Sequence, residues 1–210
     1  MNKLICVSLA AVMATASGAA LAGKDDMHND KSMKDKDLSM MSADSTIASW
    51  PKVPKEVAMK TIQKYGQPNE VTPTMLMWHD NGPWKHTIIF REEVQHDFPV
   101  AHTDVMQQFI AYKAPLDKYD DMAMYDGSVV VERTNGMISA RCDKEEANFL
   151  AINLANDVAT GKRSVDEARK FYAETVTKLM AGEKPPYTQA LQFNVSTAAT
   201  ADPDMPATRN

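Results

Sequence analysis

Cysteine is scarce in this chain, and its placement limits the chemistry that cysteine can perform. The 210 residues include two cysteines, Cys6 and Cys142. Residues 1–22 have the layout of a secretory signal peptide, with a lysine near the start, an apolar run and the ending Ala20-Leu21-Ala22. We therefore expect cleavage after this ending and a periplasmic or secreted location. The mature chain would then keep Cys142 alone, which excludes an intramolecular disulfide even in an oxidising compartment.

Several other features are missing, and each absence removes a class of function. After the predicted signal peptide, no run approaches the roughly 18 consecutive apolar residues that a membrane helix needs, so we expect no transmembrane segment. The net charge is −5 and basic residues form no patch, which argues against nucleic acid as a partner. The chain also lacks a glycine-rich phosphate loop, a Gly-x-Ser-x-Gly motif, a His-x-x-x-His motif and any multi-cysteine motif. These absences favour a protein that is not an enzyme.

Composition divides the remaining chain into three parts. Residues 23–47 alternate lysine and aspartate with almost no apolar residue except methionine, which predicts a disordered, charged, methionine-containing arm. Residues 196–210 are rich in Ala, Thr, Asp and Pro and predict a disordered tail. Residues 48–195 are then expected to form a single domain, which is long enough to bury a core.

Local signals predict three main helices. A stripe of apolar residues at helical spacing covers 54–65, with a proline at its start and Gly66 after its end. Asp143 and Ser164 are each followed three residues later by glutamate, which predicts a capping box at the start of two further helices. The acidic segment 114–126 is expected to be a solvated loop.

Turn signals predict two hairpins. Asp80-Asn81-Gly82-Pro83 joins strands 74–79 and 84–91, and Asn135-Gly136 joins strands 128–134 and 137–142. Symmetric pairing places His79 opposite Trp84, Met77 opposite His86, and Val129 opposite Cys142. A third strand is expected over 105–112 and a short final one over 187–195. The predicted fold class is α+β, an antiparallel sheet built from hairpins and packed against an N-terminal helix and a C-terminal helix pair.

The first hairpin supplies the candidate metal ligands. Met77, His79 and His86 share one face in the predicted register, and imidazole with thioether suits copper, especially Cu(I). The alternative is that these are packing residues, because Trp84 and other large apolar side chains fall on the same face and would make it the core side.

Other candidate residues surround this hairpin. Trp78 and Trp84 bracket the turn and could form a ligand-binding platform with His96 and His102, although the register places the two indoles on opposite faces. The segment from His96 to Asp104 also holds groups suited to acid–base chemistry. Cys142 is expected to be a buried thiol, because the predicted register points it into the apolar face beside Val129. A catalytic pair with histidine is not expected, because no histidine follows His102 in the sequence.

The sequence predicts a soluble, exported, non-catalytic binding or accessory protein without a cofactor. Its partner would be an unidentified small molecule or an envelope protein. The first alternative is a periplasmic protein that binds copper or another metal through Met77, His79 and His86. The second is a hydrolase-like enzyme that uses the region from His96 to Asp104.

Overall fold

The computed structural model describes residues 42–208, and the predicted signal peptide and most of the arm lie outside them. Within this part of the chain the fold is α+β, as predicted: an antiparallel six-stranded sheet with helices. The strands are β1 (Glu70–Thr72), β2 (Met75–Asn81), β3 (Trp84–His96), β4 (His102–Ala111), β5 (Val129–Glu132) and β6 (Met137–Cys142). The helices are α1 (Ala43–Ile47), α2 (Lys52–Tyr65), α3 (Tyr119–Tyr125), α4 (Glu145–Ala159) and α5 (Val165–Met180).

The sheet has the order β1-β2-β3-β4-β6-β5, with every neighbouring pair antiparallel. Two short 3-10 turns, Leu116–Lys118 and Pro186–Thr188, complete the regular structure of residues 42–208. The second turn lies where a final strand was expected. None of the helices in this range has the length and apolar character required to cross a bilayer.

The two C-terminal helices lie where the sequence predicted them, but only one of the two predicted capping boxes is present. Ser164 and Glu167 form both hydrogen bonds of the predicted capping box at the start of α5. Asp143 does not cap α4, which begins after Lys144 without a side-chain cap. The Asp143 carboxylate instead lies 3.6 Å from the Cys142 thiol, which donates to it.

Both hairpins differ from the predicted register by two residues. His79 pairs with His86 and Trp84 with Asn81, because the turn contains only Gly82 and Pro83. In the second hairpin Val129 pairs with Ala140, because the loop spans residues 133–136. A shift of two preserves the predicted alternation of faces along each strand, since the side chains of a strand alternate with a period of two. Trp84 beside the turn is an exception, because its indole packs in the core against Phe149 of α4.

The prediction about the core side of the first hairpin was wrong. Leu76, Trp78 and Ile89 are fully buried and pack with Val57 and Ala58 of α2. The opposite face, which carries Met77, His79 and His86, is only half-buried. Both faces carry large apolar residues, so composition alone did not reveal which one α2 covers.

The folded part extends beyond 48–195 at both ends. Ala43 and Ile47 of α1 are buried in the cluster that contains Trp50, so the last residues of the predicted arm are helical. In the predicted tail, Thr200 is buried and its hydroxyl donates to the carbonyl of Gly136 at 2.7 Å. Apolar contacts and loop hydrogen bonds therefore order segments whose composition predicted disorder.

Candidate metal centre

The candidate site lies where β3 ends and β4 begins. His96 is the last residue of β3 and pairs directly with His102, the first residue of β4. The two imidazole centroids are 5.0 Å apart. Asp104 follows two residues after His102 and therefore points to the same side of the strand. The end of this hairpin thus brings together two imidazoles and a carboxylate.

The carboxylate of Asp104 contacts both imidazoles. Its Oδ1 atom is 3.2 Å from Nε2 of His102, and its Oδ2 atom is 3.4 Å from Nδ1 of His96. One ligand atom from each of the three residues lies within 4.8 Å of the others. Asp104 is only 2% exposed, so water does not solvate this charge.

Each of these residues is oriented by a further partner. Nδ1 of His102 donates to the carbonyl of Val100 at 2.8 Å, which leaves Nε2 directed at Asp104. The hydroxyl of Ser128 donates to Oδ2 of Asp104. Outer partners of this kind fix the tautomer and orientation of metal ligands.

His96 has its own outer carboxylate. Its Nε2 atom lies 3.9 Å from Oδ1 of Asp126, which also accepts the backbone N–H of Ser128 at 2.9 Å. Asp126 is buried, and α3 occupies residues 119–125, so the expectation of a solvated loop is wrong for this half of the segment. Burial raises the pKa of the Asp126 carboxyl group.

One buried oxygen in the centre is left without a hydrogen bond. Oδ1 of Asp104 has no hydrogen-bond partner among residues 42–208, although it faces Nε2 of His102. A buried carboxylate oxygen is costly unless a donor or a cation neutralises it. The neighbouring carboxylate raises the pKa of His102 to about 11, because it stabilises the positively charged imidazolium form. A metal ion between these atoms would provide the same neutralisation.

Cys142 of β6 lies beside this cluster. Its Sγ atom is 3.3 Å from Nε2 of His102, the atom that also faces Asp104. The thiol is 5% exposed, which confirms the predicted burial, and burial raises its pKa. The expectation that no histidine lies near it is wrong. Pairing of Met106 on β4 with Cys142 on β6 brings the thiol beside His102.

A cavity of about 680 Å³ leads to the thiol side of the centre. His102 and Cys142 lie on its wall, between α2, residues 99–101, the start of α4 and α5. Much of the remaining wall is apolar, including Val57, Val176 and Leu179. The cavity offers an access path for an ion or a small ligand, which a proposed metal site requires.

The structure separates the sequence-predicted ligand-binding residues into two groups. His96 and His102 come together in the centre. Trp78 and Trp84 are 2% and 1% exposed, and their indole N–H groups donate to Gly66 O at 3.0 Å and to Glu145 Oε1 at 2.7 Å. Neither indole presents a face for stacking, so both act as core residues.

Comparison with protein-family models, curated proteins and solved structures finds no match for this chain. The function must therefore be inferred from the geometry and chemistry of the site itself.

Proposed function

We propose that this chain is an exported metal-binding protein whose ion is held by His96, His102 and Asp104, with Cys142 as the fourth ligand. The observation that carries the proposal is the convergence of ligand atoms from His96, His102 and buried Asp104 within 4.8 Å of one another. This proposal keeps the expected binding or accessory role and assigns a metal ion as the bound species. It places that ion away from the hairpin residues first considered.

The donor set favours zinc or a similar divalent transition metal. Zinc binds imidazole nitrogen, carboxylate oxygen and thiolate sulfur, whereas calcium and magnesium prefer oxygen ligands alone. Ligand atoms placed tetrahedrally around zinc lie about 3.3 to 3.6 Å apart. The separations of 3.2 Å from His102 Nε2 to Asp104 Oδ1 and 3.3 Å to Cys142 Sγ match this spacing closely.

Thiol-dependent hydrolysis is the second candidate, because the pair of Cys142 and His102 lines the cavity. A thiol nucleophile needs a base that accepts its proton. Burial raises the pKa of the Cys142 thiol although His102 opposes that shift, so the thiolate that would attack a substrate is disfavoured. The geometry therefore supports metal binding better than it supports hydrolysis.

Metal titration tests the proposal. We expect the purified protein to bind one equivalent of Zn²⁺ or Co²⁺ at this centre, measured by calorimetry and elemental analysis. Asp104→Asn and His102→Ala should abolish this binding. Asp97→Asn is the matched control, because Asp97 is a nearby exposed carboxylate that accepts a hydrogen bond from the side-chain amide of Gln95. Equal binding by all three variants would contradict the proposal.

The Co²⁺ form separates the role of the thiol from that of the other ligands. We expect a sulfur-to-cobalt charge-transfer band that Cys142→Ser removes, while cobalt still binds through the remaining three ligands. An esterase or thioesterase activity that survives a chelator and is lost in Cys142→Ser would instead favour the hydrolase.

A further inference from the structure

We propose a second metal site, of the copper type, on the outer face of the sheet, with His79 and His86 as its ligands. These residues are direct partners on β2 and β3. Their Nδ1 atoms are 3.2 Å apart, and the rings meet edge to face with centroids separated by 5.3 Å. The site is separate from the proposed centre in the His96–Asp104 region and does not depend on it.

A carboxylate on the neighbouring strand orients the first imidazole. Oε1 of Glu70 lies 2.6 Å from Nε2 of His79. Because a carboxylate oxygen accepts, the hydrogen of neutral His79 resides on Nε2 and the lone pair of Nδ1 faces His86. Metal-binding histidines commonly have this outer carboxylate. The backbone is also held, since Asn69 Oδ1 accepts the N–H of His79 at 2.8 Å.

The two facing imidazole nitrogens can share one hydrogen or one metal ion. Two lone pairs would repel each other at 3.2 Å, so in the absence of metal Nδ1 of His86 donates its hydrogen to Nδ1 of His79, and a metal ion would take the place of that hydrogen. The site is open to solvent, because the side chain of His79 is 37% exposed. An ion can therefore reach these nitrogens directly from solution.

A thioether on the same face indicates the metal class. Met77 precedes His79 by two residues and lies diagonally from His86, at the roughly 7–8 Å that separates diagonal neighbours in an antiparallel pair. Methionine is long and flexible enough to cover such a distance. Imidazole binds Cu²⁺ well, and added thioether favours Cu(I) over zinc. The hairpin is thus suited to copper, in contrast to the thiolate and carboxylate of the buried centre.

Copper titration of the Asp104→Asn chain tests this site without the buried centre. We expect Cu²⁺ to bind with an electron paramagnetic resonance signal of nitrogen ligation, and His79→Ala and His86→Ala each to lose it. Glu70→Gln should weaken binding about 10- to 100-fold by releasing the orientation of His79. These side chains are on the outer face, so circular dichroism should show that the variants fold. Cu²⁺ binding that is unchanged in both histidine variants would overturn the site.

Competition with a chromogenic Cu(I) chelator measures the Cu(I) affinity of the hairpin and tests whether the thioether of Met77 is a ligand. Met77→Leu should lower Cu(I) affinity at least about tenfold and leave Cu²⁺ affinity unchanged, because thioether is a soft ligand. Met75→Leu is the matched control, since Met75 is on the same face one pair further away, opposite Phe90. If Met77→Leu retains the same Cu(I) affinity as Met75→Leu and the unsubstituted hairpin, Met77 is excluded as a ligand. Zinc binding at the buried centre is measured separately. If the centre binds no zinc, the copper titration of the hairpin still tests the copper site.

Discussion

Cys142 lies 3.3 Å from His102, although 40 residues separate them in the chain. Antiparallel pairing of β4 with β6 creates the contact, because it aligns Met106 with Cys142. The contact gives this thiol a chemical environment that the sequence did not predict, beside an imidazole that can share a metal ion with it. Burial raises the pKa of Cys142 and keeps the thiol neutral, while its imidazole neighbour opposes that shift. A metal ion would convert the same thiol into a thiolate ligand.

Thiol labelling tests this environment. In a Cys6→Ser background, Cys142 is the remaining cysteine. We expect a thiol reagent to label the native protein on the order of 100-fold more slowly than the unfolded chain, because the thiolate form reacts and burial suppresses it. Adding Zn²⁺ should slow native labelling further. Rapid labelling of the native protein would contradict both the burial of the thiol and its place in the centre.

The hydroxyl of Ser128 provides a second test, because it donates to the carboxylate of Asp104. Ser128→Ala should lower Zn²⁺ affinity about 10- to 100-fold, the usual cost of removing an outer partner of a ligand. Calorimetric titration measures the change. The control is Ser164→Ala, which removes the cap of α5 and costs about 1 kcal/mol of stability. It should leave Zn²⁺ affinity unchanged, and a similar loss in both variants would indicate a general folding effect.

Local sequence signals predicted the helices and strands more accurately than they predicted the strand registers and the packing between elements. The capping box at Ser164 depends on short-range chemistry and lies where it was expected. The turn at Asn135-Gly136 connects the expected strands, but it is part of a four-residue loop, 133–136, and is not the tight two-residue turn that was predicted. The exact hairpin registers depended on loop length. Each register was wrong by two residues, and strand alternation survives a shift of two. Which face of the first hairpin is covered by α2 was predicted wrongly.

The centre was harder to predict, because its members come from three strands. His96 and His102 were recognised as candidates from their closeness in sequence. Cys142 and Ser128 join them through pairing of β6 with β4 and β5, which no local motif specifies. Asp126 was assigned to a solvated loop, since composition does not show that a carboxylate at the end of α3 is buried.

Glu145 connects α4 to α2 and the sheet. Its carboxylate accepts from Tyr65 at 2.6 Å, Trp84 at 2.7 Å and Gln108 at 3.3 Å, and it forms an ion pair with Lys64. Glu145→Gln should lower the free energy of unfolding by about 2 to 4 kcal/mol, because the charged acceptor is lost from a largely buried site. Urea unfolding at neutral pH measures this change. Glu146→Gln is the control on an exposed neighbour, and an equal effect of both substitutions would contradict the prediction.

Acid should reduce the contribution of Glu145. Burial alone would raise the pKa of this carboxyl group, but hydrogen bonds led by Lys64 hold the pKa below its ordinary value of 4.5. A lowered folded pKa means that the stabilisation is fully present above about pH 4.5 and is lost as the pH falls through the folded value. The difference in stability between wild type and Glu145→Gln should therefore shrink below pH 4.5. A difference that stays constant from pH 7 to pH 3 would contradict this assignment.

Two glycines with similar backbone angles test whether the C-terminal segment contributes to stability. Gly136 has φ +69° and Gly161 has φ +70°, so alanine at either position incurs a left-handed backbone penalty of about 1 to 2 kcal/mol. A Cβ atom at position 136 would also overlap the backbone carbonyl carbon of Thr200, whereas position 161 has no neighbouring atom within 4 Å. Gly136→Ala should therefore be more destabilising than Gly161→Ala by about 1 to 3 kcal/mol, the usual cost of overpacking.

Limited proteolysis distinguishes loss of the C-terminal contact from general destabilisation. In Gly136→Ala the segment around Thr200 should be displaced, because its hydroxyl donates to the Gly136 carbonyl and its backbone occupies the space of the new Cβ. Cleavage beyond residue 195 should become faster in this variant and stay unchanged in Gly161→Ala. Equal stability and equal cleavage of the two variants would show that the segment does not pack on the loop 133–136 in solution.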